Sequence, residues 1–109
     1  MQEVNVNKIW FDFIKNGQKT VEGRLNKGKF SNMKIGDIIK FVNGDENVTV
    51  KIENITHYKS FENYLIMEGL KRTLPGIKNL NDGLNVYYTY FTKEQEQEFN
   101  ILAIDIKKI

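Results

Sequence analysis

Cysteine is absent from this chain, and histidine, proline and tryptophan each occur once. The first absence removes thiolate nucleophiles, disulfides and zinc-thiolate sites, and the lone His57 cannot supply the two or three imidazoles of a common catalytic zinc centre. Any chemistry falls to Lys, Arg, Asp, Glu, Thr, Ser or Tyr, and no metal or cofactor is expected. Long apolar runs are missing too: nothing approaches the ~20 residues of a membrane-spanning helix. The start, Met1-Gln2-Glu3-Val4-Asn5, has neither the basic flank nor the apolar core of a secretory signal, which with the missing cysteine suggests a cytoplasmic setting. Charge of one sign is also scarce. Sixteen Lys and Arg stand against 14 Asp and Glu, and a net charge of +2 is too small to imply nucleic acid by itself.

What is present is globular. At 109 residues, 40% hydrophobic and 12% aromatic, the chain is long enough to bury one core, so a single domain over residues 1–109 is expected. Trp10, Phe13 and Ile14 at i, i+3 and i+4 predict a short helix over 7–16, with Asn7 as cap and Gly17 as stop. Ile38 to Val42 and Asn47 to Tyr58 alternate as strands around Asn43-Gly44-Asp45, a strong hairpin turn. Ser60 caps a helix whose stripe is Phe61, Tyr64, Leu65 and Glu68, ending at Gly69. A carboxylate on that stripe must reach the rim or meet a cation. Leu74-Pro75-Gly76-Ile77 breaks the chain, and Asn81-Asp82-Gly83 opens a helix from Leu84 to Phe91. Thr92-Lys93-Glu94-Gln95 has the form of a capping box for a short, polar, exposed helix. Ile101 to Ile106 reads as a central strand with Leu102, Ile104 and Ile106 on one face.

The densest clustering of charge and glycine is Gly17-Gln18-Lys19-Thr20-Val21-Glu22-Gly23-Arg24-Leu25. A strand there puts Thr20, Glu22 and Arg24 on one side and Lys19, Val21, Gly23 and Leu25 on the other. Glycines in such a segment allow a close backbone approach or an unusual dihedral. A ligand cleft and a plain turn-plus-strand both fit this pattern.

That element, followed by Lys34-Ile35-Gly36-Asp37-Ile38-Ile39-Lys40-Phe41 and the closing Ile101-Leu102-Ala103-Ile104-Asp105-Ile106, resembles an ASCH domain of the PUA-like superfamily over almost the whole chain. The resemblance implies an α+β fold: a small, partly open β-barrel of mainly antiparallel strands flanked by helices, with a cleft for RNA or a nucleoside. Some small members resemble amidohydrolases of 4-acetylcytidine that use a Lys, a Thr three residues later and a helix Glu. Lys19 matches the Lys and Glu68 the Glu, but Glu22 stands where the Thr would be.

Three readings follow. The first is an RNA- or nucleoside-binding module whose cleft is built from Lys19, Glu22, Arg24 and Glu68. The second is a hydrolase, acting on 4-acetylcytidine or as a ribonuclease, in which Glu22 or Glu68, raised in pKa by desolvation, serves as general base and Lys19 stabilises an oxyanion. The third is a protein-interaction module using the Thr92 to Asn100 segment. Arg24 suits a phosphate or carboxylate through its planar fork. Trp10, Tyr87, Tyr90 and Phe91 offer a stacking surface, best from Trp10 and Tyr90 at the edges of their stripes. Against all of these, Glu22 pairing with Arg24 or Lys19 would be an ordinary structural ion pair, and aromatics at helical spacing are ordinary core.

Overall fold

The computed structural model describes every residue from Met1 to Ile109. In chain order the elements are β1 (Gln2–Asn5), α1 (Lys8–Lys15), β2 (Val21–Leu25), a 3-10 turn (Gly28–Asn32), β3 (Ile38–Asn43), β4 (Glu46–Tyr58), α2 (Phe61–Glu68), α3 (Leu70–Thr73), α4 (Leu80–Tyr90), α5 (Lys93–Phe99) and β5 (Ile101–Lys108). The five strands form one sheet in the order β1-β3-β4-β5-β2, in which only the β1–β3 pair is parallel. It curls into a half-barrel, so the expected α+β, partly open barrel is the architecture found.

Local sequence accounts for the strongest joints. Asn43 pairs with Glu46, leaving Gly44-Asp45 as a two-residue turn, and Gly44 takes φ +58° as such a turn requires. Ser60 caps α2 by accepting the Asn63 N–H, and Thr92 and Gln95 complete the capping box of α5. The register of β4 against β5 shifts between Ile52 and Asn54, a bulge that helps the long β4 bend round.

Both faces of the sheet are covered, and alternation along β5 assigns each residue to a side. Leu102, Ile104 and Ile106 join Val4, Phe11, Ile14, Ile39, Phe41, Val50 and Ile52 in the core inside the curl. Ile101 and Ala103 face outward, with Val21 and Leu25, onto Phe61, Tyr64, Leu65, Leu74 and Tyr87 of the helical layer. Each fully buried large side chain contributes about 1.5–3 kcal/mol by removal from water.

Two expectations need correction. α4 begins at Leu80, capped by the Asn79 side chain on Asp82 N–H, so Gly83 lies inside the helix. It is there because a Cβ would stand 2.9 Å from Leu70 Cδ2 and 3.1 Å from Leu65 Cδ1, which means α4 needs glycine to approach its neighbours. α5 is also less exposed than its polarity suggests. Glu96 is buried, accepting the Phe61 N–H (2.6 Å) at the start of α2 and the Tyr88 hydroxyl (2.9 Å). Glu96 thus clamps α5 to the helical layer, while Lys93, Glu94 and Glu98 stay exposed as expected of a polar helix.

Candidate functional site

Gly17 takes φ +86° and ends α1, and the next residues are pinned by backbone hydrogen bonds from Lys19 N–H to Phe13 O and from Thr20 N–H to Arg72 O, each 3.0 Å. Lys19 therefore lies just before β2 rather than within it, and strand parity does not govern its side chain. Its ammonium turns inward to reach Val21 O (2.7 Å), Thr73 O (2.5 Å) and Glu22 Oε1 (3.3 Å). The side chain is 2% exposed. Burial pulls the Lys19 pKa below its ordinary value while Glu22 opposes the shift. Three acceptors around one nitrogen match the three protons of an ammonium, so the coordination holds the charged form.

Glu22 and Arg24 lie across from Ile104 and Leu102, on the concave side of the sheet, and meet as strand alternation predicts. Arg24 Nε donates to Glu22 Oε2 at 2.8 Å. Burial works to raise the Glu22 carboxyl, but Arg24 and Lys19 outweigh it and hold the group below the usual carboxylate range. This corrects the expectation of a base tuned upward by desolvation: two cations on one carboxylate offset the burial cost. Arg24 also donates Nη2–H to Asn5 O (3.2 Å), joining the edge strands β1 and β2 across the open seam of the half-barrel, and lies 4.9 Å from the Phe30 ring centre. Its Nη1 donors have no protein partner.

A cavity of about 260 Å³ opens at this seam. One wall is the β1–α1 connection (Asn5, Val6, Asn7) and Trp10, the next is Lys19 with Glu22, Gly23 and Arg24, and the far wall is Leu74 with Val86, Tyr87, Tyr90 and Phe91. All four aromatic residues singled out for stacking thus meet around one space. Trp10 is half-buried; Tyr90 is 50% exposed at the rim, its hydroxyl accepting from the Asn7 side-chain amide. Asn7 is accordingly no side-chain cap for α1.

Behind the wall, the Tyr64 and Tyr87 hydroxyls share a hydrogen bond of 2.8 Å. Burial pushes both phenols well up and Glu22 adds to each rise; Tyr87 raises Tyr64 further, while the bond to Tyr64 opposes the rise at Tyr87, and both serve as neutral hydrogen-bonding groups. A Cβ on Gly23 would stand 2.6 Å from the Tyr64 ring, and this close approach explains the second glycine of the cluster. Neither this contact nor the Asn5 and Asn7 contributions carry a local signal, because each depends on segments distant in sequence.

Glu68 does not line the cavity. It accepts from the Tyr58 hydroxyl (2.5 Å) and from Arg72 at i+4, so the carboxylate on the apolar stripe meets its cation away from Lys19 and Glu22. No cluster of three or more His, Cys, Asp or Glu is arranged to hold a metal ion. No helix is long and apolar enough to cross a membrane.

Known structures share this fold. The crystal structure of hypothetical protein PH0355 is 36% identical, covers 99% of this chain and 98% of its own, and superposes with a TM-score of 0.92. The solution NMR structure of protein PF0455 from Pyrococcus furiosus is 33% identical, with coverages of 99% and 96% and a TM-score of 0.83. No curated protein matches. The ASCH domain profile matches residues 4–109, and the chain belongs to the ASCH domain family.

Proposed function

We propose that the seam cavity binds a nucleobase, either unpaired within RNA or in a free nucleoside. The observation that carries this reading is the composition of the cavity: Trp10, Tyr87, Tyr90 and Phe91 around a space edged by Asn5, Asn7, Glu22 and Arg24. Tyr87 and Phe91 already stack on Phe61 and back the wall, while the half-buried Trp10 and the exposed Tyr90 suit the faces of a planar base, where stacking contributes about 1–3 kcal/mol per base. Amide, carboxylate and guanidinium groups suit its edges. At about 260 Å³ the space falls just below the usual range for drug-sized ligands, in keeping with one base or nucleoside.

Trp10 is the only tryptophan and lies in the wall, so its fluorescence reports directly on occupancy. Titration with single-stranded RNA and with nucleosides, 4-acetylcytidine included, should give a saturable change in emission that Arg24→Ala weakens. Absence of binding to every one of these probes, by fluorescence and by calorimetry, would overturn the proposal.

A hydrolase of the same ligand is the second reading, favoured by the presence of Lys19 on the cavity wall where the amidohydrolases resembled by this family have their Lys. Lys19 and Arg24 offer positive charge to a developing oxyanion. The weak point is the base: Glu22 is stabilised as a carboxylate by two cations, and Glu68 is engaged elsewhere. Incubation with 4-acetylcytidine and with short RNAs tests turnover, and binding without turnover in both assays would leave the first reading alone.

A further inference from the structure

A second cavity, of about 320 Å³, adjoins the first and shares Arg24, Tyr90 and Phe91 with it. Its remaining wall comes from Leu25, from Lys27 through Phe30 and from Gln95. Three cations line it, Arg24, Lys27 and Lys29, and no carboxylate does. That imbalance is local, since the whole chain carries only +2.

Arg24 is paired with Glu22, but neither lysine has a carboxylate partner. The Lys27 ammonium makes no ion pair or hydrogen bond to the protein and stands 4.8 Å from the Phe99 ring centre. Lys29 reaches only a neutral acceptor, Glu3 O at 2.5 Å, and stands 5.8 Å from the Phe30 ring. Arg24 turns its pairing with Glu22 toward the first cavity and leaves the Nη1 donors free. The Phe30 ring already has Arg24 at 4.9 Å, so this space presents charge to a ligand rather than an open stacking face.

We propose that the second cavity is a phosphate subsite, so that the preferred ligand is a nucleotide or RNA strand whose base enters the first cavity while its phosphate meets Arg24, Lys27 and Lys29. The inference rests on the nucleobase reading of the first cavity. Arg24 is the hinge between the two, with one edge on Glu22 and the other available to phosphate oxygens, a task for which its planar fork is suited.

Calorimetry on the four ribonucleosides, their 5′- and 3′-monophosphates and a single-stranded hexanucleotide tests it. At least one phosphorylated form should bind about tenfold or more tightly than its parent nucleoside, as charge-assisted hydrogen bonds contribute. A gain with a monophosphate assigns a terminal phosphate; a gain only with the hexanucleotide assigns a backbone phosphodiester. Lys27→Ala with Lys29→Ala, both exposed positions, should collapse that ratio and flatten its salt dependence. Equal affinity for nucleosides and every phosphorylated form, or a ratio that survives the double substitution, would overturn the subsite while sparing the first cavity. Failure of every nucleoside and nucleotide to bind would instead remove the nucleobase reading, and the subsite with it.

Discussion

Glu22 and Glu68 have nearly the same immediate surroundings and different prospects. Each carboxylate is mostly buried, each accepts from an arginine, and each has one further donor, Lys19 for Glu22 and Tyr58 for Glu68. At Glu68 the arginine is one helical turn away on the same stretch of chain and 49% exposed, so the pair is a rim contact of the α2–α3 corner. At Glu22 the arginine crosses the barrel seam to Asn5 O, the lysine is 2% exposed, and a concave aromatic space begins beside them. An ion pair gains a place on a cavity wall from its tertiary neighbourhood rather than from its members.

The largest way to break this comparison is Lys19→Ala. It strips Glu22 of one cation and leaves two buried carbonyls without a donor, which should cost about 3–5 kcal/mol in chemical denaturation. Gly23→Ala comes next, at about 1–3 kcal/mol, because the new Cβ collides with the Tyr64 ring. Arg24→Ala strips Glu22 of its other cation and should lower stability as well as ligand affinity, the latter by about tenfold, read from Trp10 emission under conditions where the variant is folded.

Acid sharpens the contrast. The Glu22 carboxyl is depressed below its ordinary 4.5 when folded, so the unfolded chain takes up its proton first. The stabilisation is therefore complete above about pH 4.5 and is lost as pH falls through the lower, folded value. Melting temperature against pH should show this loss in the wild type and a flatter acid limb in Glu22→Gln. Glu68→Gln should do least, at about 1 kcal/mol or below, because Arg72 is half in water. It should leave ligand affinity unchanged and let Tyr58, raised to about 12 by burial and by its bond to Glu68, titrate nearer its ordinary 10 in an ultraviolet absorbance scan.

Much of the fold was legible because its signals are local. Helix α1, the Gly44 hairpin, the caps at Ser60 and Thr92 and the two-sided pattern of β5 follow from spacings within a few residues. β1 was not legible: it is four residues long with one inward apolar side chain, Val4, and it joins the sheet by parallel pairing with a strand over thirty positions away. The start of α4 was misplaced because Gly83 looks like a turn until Leu65 and Leu70 are in position. For the site, alternation alone put Glu22 beside Arg24, and the edges of the helical stripes marked Trp10 and Tyr90. The positions of Asn5, Asn7 and Glu68 depended on curvature of the sheet, which no short window encodes.

The sequence by itself determined most of the elements, the family resemblance and the presence of a charged, glycine-bearing segment after the first helix, since backbone preference and hydrophobic period act over one or two turns. Only the tertiary structure decided where that segment sits. Curling the sheet brings β1 to β2, places Arg24 across the seam between two cavities, and separates Glu22 from Glu68; burial then turns a row of ordinary side chains into one fixed wall of a cavity.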